Sequence, residues 1–416
     1  MSNIITFFSD AYKGLAKESW MLSIIMLIYR SGSMVLPFLG VYLTEELSLS
    51  LQETGAILSF YGLGAILGAY LGGRLTDRTG YFRVQVFSLF ICIPGLLLIP
   101  QIKNIYFLSL IFFLQSTISE TFLPANAVAI TKYSSAENRA RAFSLNRLAL
   151  NLGFFIGPSL GGILSSVSYS LIFYVNAAAA CIAGSIMYLY FRNKDHHISA
   201  DKMITSQHFR SPYRDTAFLI FISFCVIYAL CLMQLFSTLP LFYQHTGLSK
   251  IEIGMIFGYC GILLFIVEMP LVNWAAKTFS TIQTVVLGLL SLCIGYLILA
   301  FYSHPYLIIL SVTFISFSNV LVIPFLSAIT SIRAEGKNIG AYMGLFGGIF
   351  SIALFLSPLL GSFIAENYGF SRLWLTISLL IIIALSGIYY IYTQKLSEEK
   401  NSTSENEKNK SPEEYK

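Results

Sequence analysis

Apolar residues run along this chain in long stretches interrupted by short polar segments. Neither the two-residue alternation of a half-buried strand nor the narrow stripe of a surface helix organises them. The pattern predicts twelve helices, at about 20–44, 54–73, 84–101, 104–130, 143–165, 168–191, 216–243, 253–275, 281–300, 304–330, 339–364 and 371–393. Each is close to the ~20 residues that cross ~30 Å of hydrocarbon. The narrowest cut, Gln101 to Asn104, separates the third stretch from the fourth.

Composition agrees. Of 416 residues, 56% are hydrophobic and 11% charged, whereas roughly a quarter of an average soluble domain is charged. The connections leave no room for a soluble catalytic domain or a nucleic-acid domain. The net charge of +5 has a topological explanation. An even number of spans puts both termini on one side. If that side is the cytoplasm, the inner segments collect Arg74, Arg78, Arg83, Arg139, Arg141, Lys277 and Arg333, among others, and the outer loops keep only Lys103, Lys250 and Arg372. This is the bias of the positive-inside rule. The outer loops are mildly acidic, with Glu45, Glu46, Glu53, Glu252 and Glu366, and Trp20, Trp274 and Trp374 fall at span ends, where an indole suits the interface. Cys92, Cys181, Cys225, Cys231, Cys260 and Cys293 all lie in apolar stretches, as small core side chains. The first apolar run is too long for a cleavable signal peptide and lacks a small-residue cleavage site.

The polar segment 192–215 reads as a cytoplasmic linker between an N-terminal six-helix bundle, 1–191, and a C-terminal one, 216–395. The segment 396–416, rich in Glu, Lys, Asn and Ser, reads as a disordered cytoplasmic tail. The halves align at a shift of about 200 residues: Pro124 with Pro324, Asn138 with Asn338, Pro158-x-x-Gly161 with Pro358-x-x-Gly361, Gly55 and Gly62 with Gly254 and Gly261, and Pro37 with Pro240. Two related bundles around a central path are a physical design for alternating access.

Between the second and third spans stands Gly73-Arg74-Leu75-Thr76-Asp77-Arg78-Thr79-Gly80-Tyr81-Phe82-Arg83. It reads as a tight reversal, with Gly80 relaxing the backbone and Asp77 placed to accept hydrogen bonds from a neighbouring helix end. The fifth span carries Gly153-x-x-x-Gly157-Pro158-x-x-Gly161-Gly162. Small residues at this spacing let helices approach closely, and Pro158 is expected to loosen one turn. With these motifs the chain resembles the major facilitator superfamily, and within it the twelve-span drug:proton antiporter branch. Gly73, Leu75, Asp77, Arg78, Gly80 and Arg83 follow the superfamily's loop motif, although Tyr81 and Phe82 replace its usual basic pair. The resemblance implies that Asp77 helps lock the cytoplasmic gate and that the fifth-span glycines meet the eighth span. One departure stands out: the branch's fourth-span arginine has no counterpart in Leu114 to Glu120. Tyr29-Arg30 and Arg147-x-x-x-Asn151-x-Gly153 are also similar to bacterial relatives near the proton-dependent peptide carriers, without their first-span Glu-x-x-Glu-Arg motif.

Four charges fall within apolar spans, where each is costly without a partner or water. Arg30 and Glu120 lie about ten residues from the cytoplasmic ends of spans 1 and 4, so at ~1.5 Å per residue both are ~15 Å deep and can pair near the midplane. Arg147 is shallower and could approach Glu120 or snorkel to the surface. Glu268, with no basic residue in its own span, is the candidate proton sensor. Either acid could instead be structural. Tyr29, Phe38, Tyr228, Met233, Phe236 and Phe317 are candidates for a broad apolar substrate pocket, with helix packing as the alternative. No Gly-x-Ser-x-Gly elbow, phosphate-binding loop or His-rich metal set is present, so no enzyme activity and no cofactor are expected.

The expected function is therefore proton-coupled export of small amphipathic or drug-like compounds, driven by the transmembrane proton gradient. A symporter importing a polar nutrient such as a peptide or sugar is the alternative, and a non-transporting membrane scaffold the distant third. The expected partners are a small-molecule substrate and membrane lipids, with no nucleic acid and no obligatory protein partner. A monomer in the cell inner or plasma membrane is the expected form, with both termini cytoplasmic.

Overall fold

The computed structural model describes residues 14–135, 138–194, 212–302, 304–334 and 339–396. The tail, most of the linker and Asn338 lie outside the described residues. All regular structure among the described residues is helical. In the first half, span 1 comprises α1 (Lys17–Gly32) and α2 (Val35–Glu45), span 2 is α3 (Leu51–Thr79) and span 3 is α4 (Tyr81–Leu98). Span 4 comprises α5 (Ile105–Glu120) and α6 (Phe122–Lys132), span 5 is α7 (Arg139–Val167) and span 6 is α8 (Tyr169–Phe191). In the second half, α9 (Thr216–Met233) and α10 (Leu239–His245) form span 7, followed by α11 (Lys250–Thr278), α12 (Thr281–Phe301), α13 (Pro305–Arg333), α14 (Ile339–Tyr368) and α15 (Phe370–Ile391). Among the described residues, twelve helical segments are long and apolar enough to cross a membrane, and a helix keeps every backbone hydrogen bond internal in hydrocarbon. Ser50 with Glu53 and Ser280 with Gln283 form capping boxes at the starts of α3 and α12.

Spans 1, 4 and 7, read as continuous from the sequence, are each interrupted. Span 1 breaks at Ser33 and Met34, and span 7 at Gln234 to Thr238. Span 4 breaks at Thr121, whose N–H is shared between the carbonyls of Ile118 and Ser119. Pro124, lacking an N–H, leaves the Glu120 carbonyl without its helical donor. Its counterpart Pro324 sits inside the uninterrupted α13, and α7 likewise runs unbroken through Pro158.

The chain gathers into two compact units: Met1–Met203 with Gln234–Phe265 and Leu354–Phe370, and Ile204–Met233 with Ile266–Ala353 and Ser371–Lys416. The first unit contains two seams where backbone lies on backbone. A Cβ built at Gly162 of α7 would stand 2.7 Å from the Gly254 Cα of α11, and one at Gly62 of α3 would stand 2.6 Å from the Leu354 carbonyl oxygen of α14. The repeat-related pairs Gly55/Gly62 and Gly254/Gly261 thus do the same work in the two halves.

In the second unit, Trp374 is fully buried and stacks on Tyr296 at 5.3 Å, so it is a core residue and not an interfacial anchor. Trp20 and Trp274 are exposed. The carboxylate of Asp215, just ahead of α9, accepts two bonds from Arg333 at 2.9 Å and one from the Tyr342 hydroxyl at 2.9 Å, tying α9 to α13 and α14. Exposed Ile163, Ile262 and Ile266 are typical of an exterior that only lipid can cover.

Candidate functional site

Arg30 and Glu120 meet in the middle of spans 1 and 4. Nη1 donates to Oε1 at 3.2 Å and Nη2 to Oε2 at 3.4 Å, a forked contact between side chains that are 6% and 17% exposed. Arg30 lies in the last turn of α1 and Glu120 is the last residue of α5. Two helix C-termini, each carrying about half a negative charge, therefore accompany the carboxylate around one guanidinium. The Arg30 guanidinium also lies 5.6 Å from the Tyr29 ring and 5.3 Å from the Phe154 ring. Tyr29 is buried, packs on Phe122 and donates its hydroxyl to the Ser119 carbonyl at 3.2 Å.

A chamber of about 30 Å³ adjoins this pair, lined by Arg30, Ser33, Tyr61, Gln115, Ser119 and Asn176 among others. Arg30 Nε is buried and has no hydrogen-bond partner among the described residues. Gln85 donates to Asn126 and Asn126 to Asn146, both at 3.0 Å, a buried amide ladder joining α4, α6 and α7.

The fifth-span motif serves two neighbours. Cβ atoms at Gly153 and Gly157 would press on Arg30 and Ser31, and one at Gly161 on Met34 and Phe38, so three of its glycines hold span 1 against span 5. Of its glycines it is Gly162 that meets span 8, where Ser159 and Phe155 also press on Gly258 and Gly261. Glycine at Gly153 thus lets the buried pair approach α7 without a clash.

The remaining candidates separate. Arg147 is exposed and takes part in an interaction of its own, while the ion pair of Glu120 is made with Arg30. Glu268 lies half-buried on α11 in the second unit and takes part in an interaction of its own, so it is not an isolated carboxylate. Asp77, in the last turn of α3, is exposed and makes no hydrogen bond or ion pair among the described residues, contrary to the expected bond to a helix end. Gly80 has φ +86° and caps α3, as the reversal requires, while Gly73 has open space around it. Leu75 and Arg78 near the end of α3 and Arg83 near the start of α4 are all exposed.

Among the aromatic candidates, Phe38 and Tyr228 are fully buried core residues. Met233, Phe236 and Phe317 are partly exposed, and Phe236 stands between Phe154 at 5.8 Å and Phe257 at 6.0 Å. Residues the sequence left unremarked as a group include the Asp215, Arg333 and Tyr342 clamp and a cluster around Glu45. Asp215 resists ionisation through burial, but its bonds to Arg333, the Phe218 N–H and Tyr342 outweigh that and hold its carboxyl well below the usual carboxylate range.

Twelve spans, three of them broken, and a buried ion pair at two of the breaks define a multi-pass membrane transporter and not an enzyme. More particularly, the chain belongs to the Major Facilitator Superfamily, whose family model matches residues 21–335 and 268–416. It is 23% identical over 362 residues to the uncharacterized MFS-type transporter YttB of Bacillus subtilis (strain 168), covering 85% of this chain and 90% of that protein. It is also 23% identical to the class H tetracycline resistance protein of Pasteurella multocida, covering 86% and 92%. Among solved structures, that of a POT family transporter in complex with 5-aminolevulinic acid superimposes with a TM-score of 0.76 at 12% identity, covering 92% of this chain and 98% of that one.

Proposed function

We propose that this transporter exports small amphipathic cations in exchange for protons by alternating access, as a monomer in the cell membrane with both termini cytoplasmic. The observation that carries the reading is the charge balance at the span-1 and span-4 breaks. One carboxylate and two helix C-termini surround one buried guanidinium. When Arg30 withdraws, the site is left seeking positive charge, which a proton or a cationic substrate supplies. The partly exposed rings of Phe154, beside Arg30, and of Phe236 next to it offer a cation an aromatic surface. The likeness to a tetracycline resistance protein supports export. Proton exchange at Glu120 accounts for coupling without the branch's fourth-span arginine, because here the arginine comes from span 1. Glu268 remains the candidate proton sensor, and Glu268→Gln should weaken or abolish pH-driven transport while leaving substrate binding measurable.

The test uses purified protein in proteoliposomes with an imposed pH gradient. Several labelled lipophilic cations should move against their gradients only while the pH difference lasts, and Glu120→Gln should abolish both movement and binding. If no lipophilic cation responds while a peptide or a sugar does, the protein is a nutrient symporter and the export reading is wrong.

A further inference from the structure

Three groups from other helices converge on the last residue of α2. Lys250 Nζ lies 2.9 Å from Glu45 Oε2, and the Tyr169 hydroxyl donates to the same oxygen at 2.6 Å. The Gln244 amide donates to Glu45 Oε1 at 3.0 Å. Gln244 is itself oriented, because Thr44 Oγ1 donates to its side-chain carbonyl at 3.1 Å, and Lys250 also stands 4.1 Å over the Tyr169 ring. Glu45, Thr44 and Tyr169 belong to the first half of the sequence and Gln244 and Lys250 to the second, yet all lie in the first compact unit. The cluster exists only while α2 and α8 lie against α10 and the start of α11.

The Gly162 and Gly254 seam closes the same end, but its contacts are neutral backbone packing. Glu45 adds the charge. Tyr169 shares its half of the chain, so it can follow Glu45 when Gln244 and Lys250 leave, and the carboxylate then keeps a hydrogen bond in the parted state. With side chains 33% and 28% exposed, Glu45 and Lys250 also have water at hand to take up the bonds they give up. These are the properties of a contact made and broken repeatedly.

We propose that Glu45 is the latch of the bundle end opposite Asp77: a positioning residue whose bonds to Lys250 and Gln244 hold that end shut and whose loss of them lets it open. The inference rests on the alternating-access reading above.

Spin labels at the exposed positions Tyr106 and Ile251, in protein whose exposed Cys181 is replaced by Ser, would report the separation across this end in lipid nanodiscs. Wild type should give a short and a long distance. Glu45→Gln and Lys250→Gln should each raise the long-to-short ratio about two- to fivefold, the range of a solvent-accessible ion pair. Raising the salt concentration should do the same to wild type, and the exchanged pair Glu45→Lys with Lys250→Glu should return the ratio toward wild type. Two populations whose ratio ignores both single variants would overturn the latch while leaving alternating access standing. A single distance in wild type and every variant would overturn both.

Discussion

Arg30 and Glu120 pair where both of their helices end, one in the last turn of α1 and the other at the final residue of α5. The coincidence has an electrostatic reason. A carboxylate at a helix C-terminus is disfavoured by the helix dipole, and an arginine there is favoured. Arg30, favoured at its own helix end, thus offsets the unfavourable placement of Glu120, and the pair is firm only while both breaks face each other.

Removing one member should expose that dependence. Glu120→Gln leaves the Arg30 charge buried without its counterion, which costs on the order of 3 kcal/mol. The double variant Arg30→Gln with Glu120→Gln should recover most of the lost thermal stability, yet neither variant should transport. Melting curves and vesicle transport measured on the same preparations separate the effects. Wild-type transport by either variant would remove the pair from the mechanism.

The glycines of the two motifs should respond unequally to alanine. Gly73 has nothing within 4 Å of an added Cβ, so Gly73→Ala should be close to silent. Gly80 holds φ +86°, and Gly80→Ala should cost about 1 kcal/mol through backbone strain. Gly62→Ala and Gly254→Ala press on backbone that cannot turn aside and should cost about 1–3 kcal/mol each. Denaturation midpoints that rank Gly73→Ala with the seam variants would contradict the packing described.

Asp215→Asn should loosen the anchorage of α9. Because its folded pKa is depressed, its contribution to stability is complete above the ordinary carboxylate range near pH 4 and is lost as pH falls through the lower folded value. The variant should therefore be less stable than wild type at neutral pH, by about 3 kcal/mol, with the gap narrowing as the pH falls below about 4 and closing below the folded value. A gap that persists unchanged in strong acid would show that Asp215 acts through something other than its charge.

Asp77 makes no ion pair or hydrogen bond among the described residues, so Asp77→Asn should leave thermal stability within about 0.5 kcal/mol of wild type. If the acid locks its end of the bundle in the opposite conformation, transport is lost all the same. Wild-type transport rates by Asp77→Asn would remove it from the gate.

The spans were legible because hydrocarbon enforces length and apolarity on every one of them. Arg30 with Glu120 was legible too, since two charges at equal depth have few other partners. The breaks were not. Pro124 and Pro324 are equivalent in sequence, yet only span 4 parts, and the difference lies in Thr121, whose N–H reaches back to Ile118 and Ser119. Nor did periodicity reveal that Phe38 and Tyr228 are core, or that three of the fifth-span glycines face span 1. Such assignments depend on which helix stands next door, and a uniformly apolar span looks alike from every side. The Glu45 cluster was hidden for a different reason: its members are ordinary loop-end residues, separated by up to about two hundred positions.

The backbone seams also bear on how this sequence can drift. Any single-base change that alters the meaning of a glycine codon yields either a stop or a side chain with at least a Cβ. At Gly62, Gly162 and Gly254 that atom has no space to occupy. Escape from glycine there demands a second, compensating change in the facing helix, so one-step variation is channelled toward the lipid-facing and loop positions, and descendants of this chain can diversify what they carry far more readily than how they close.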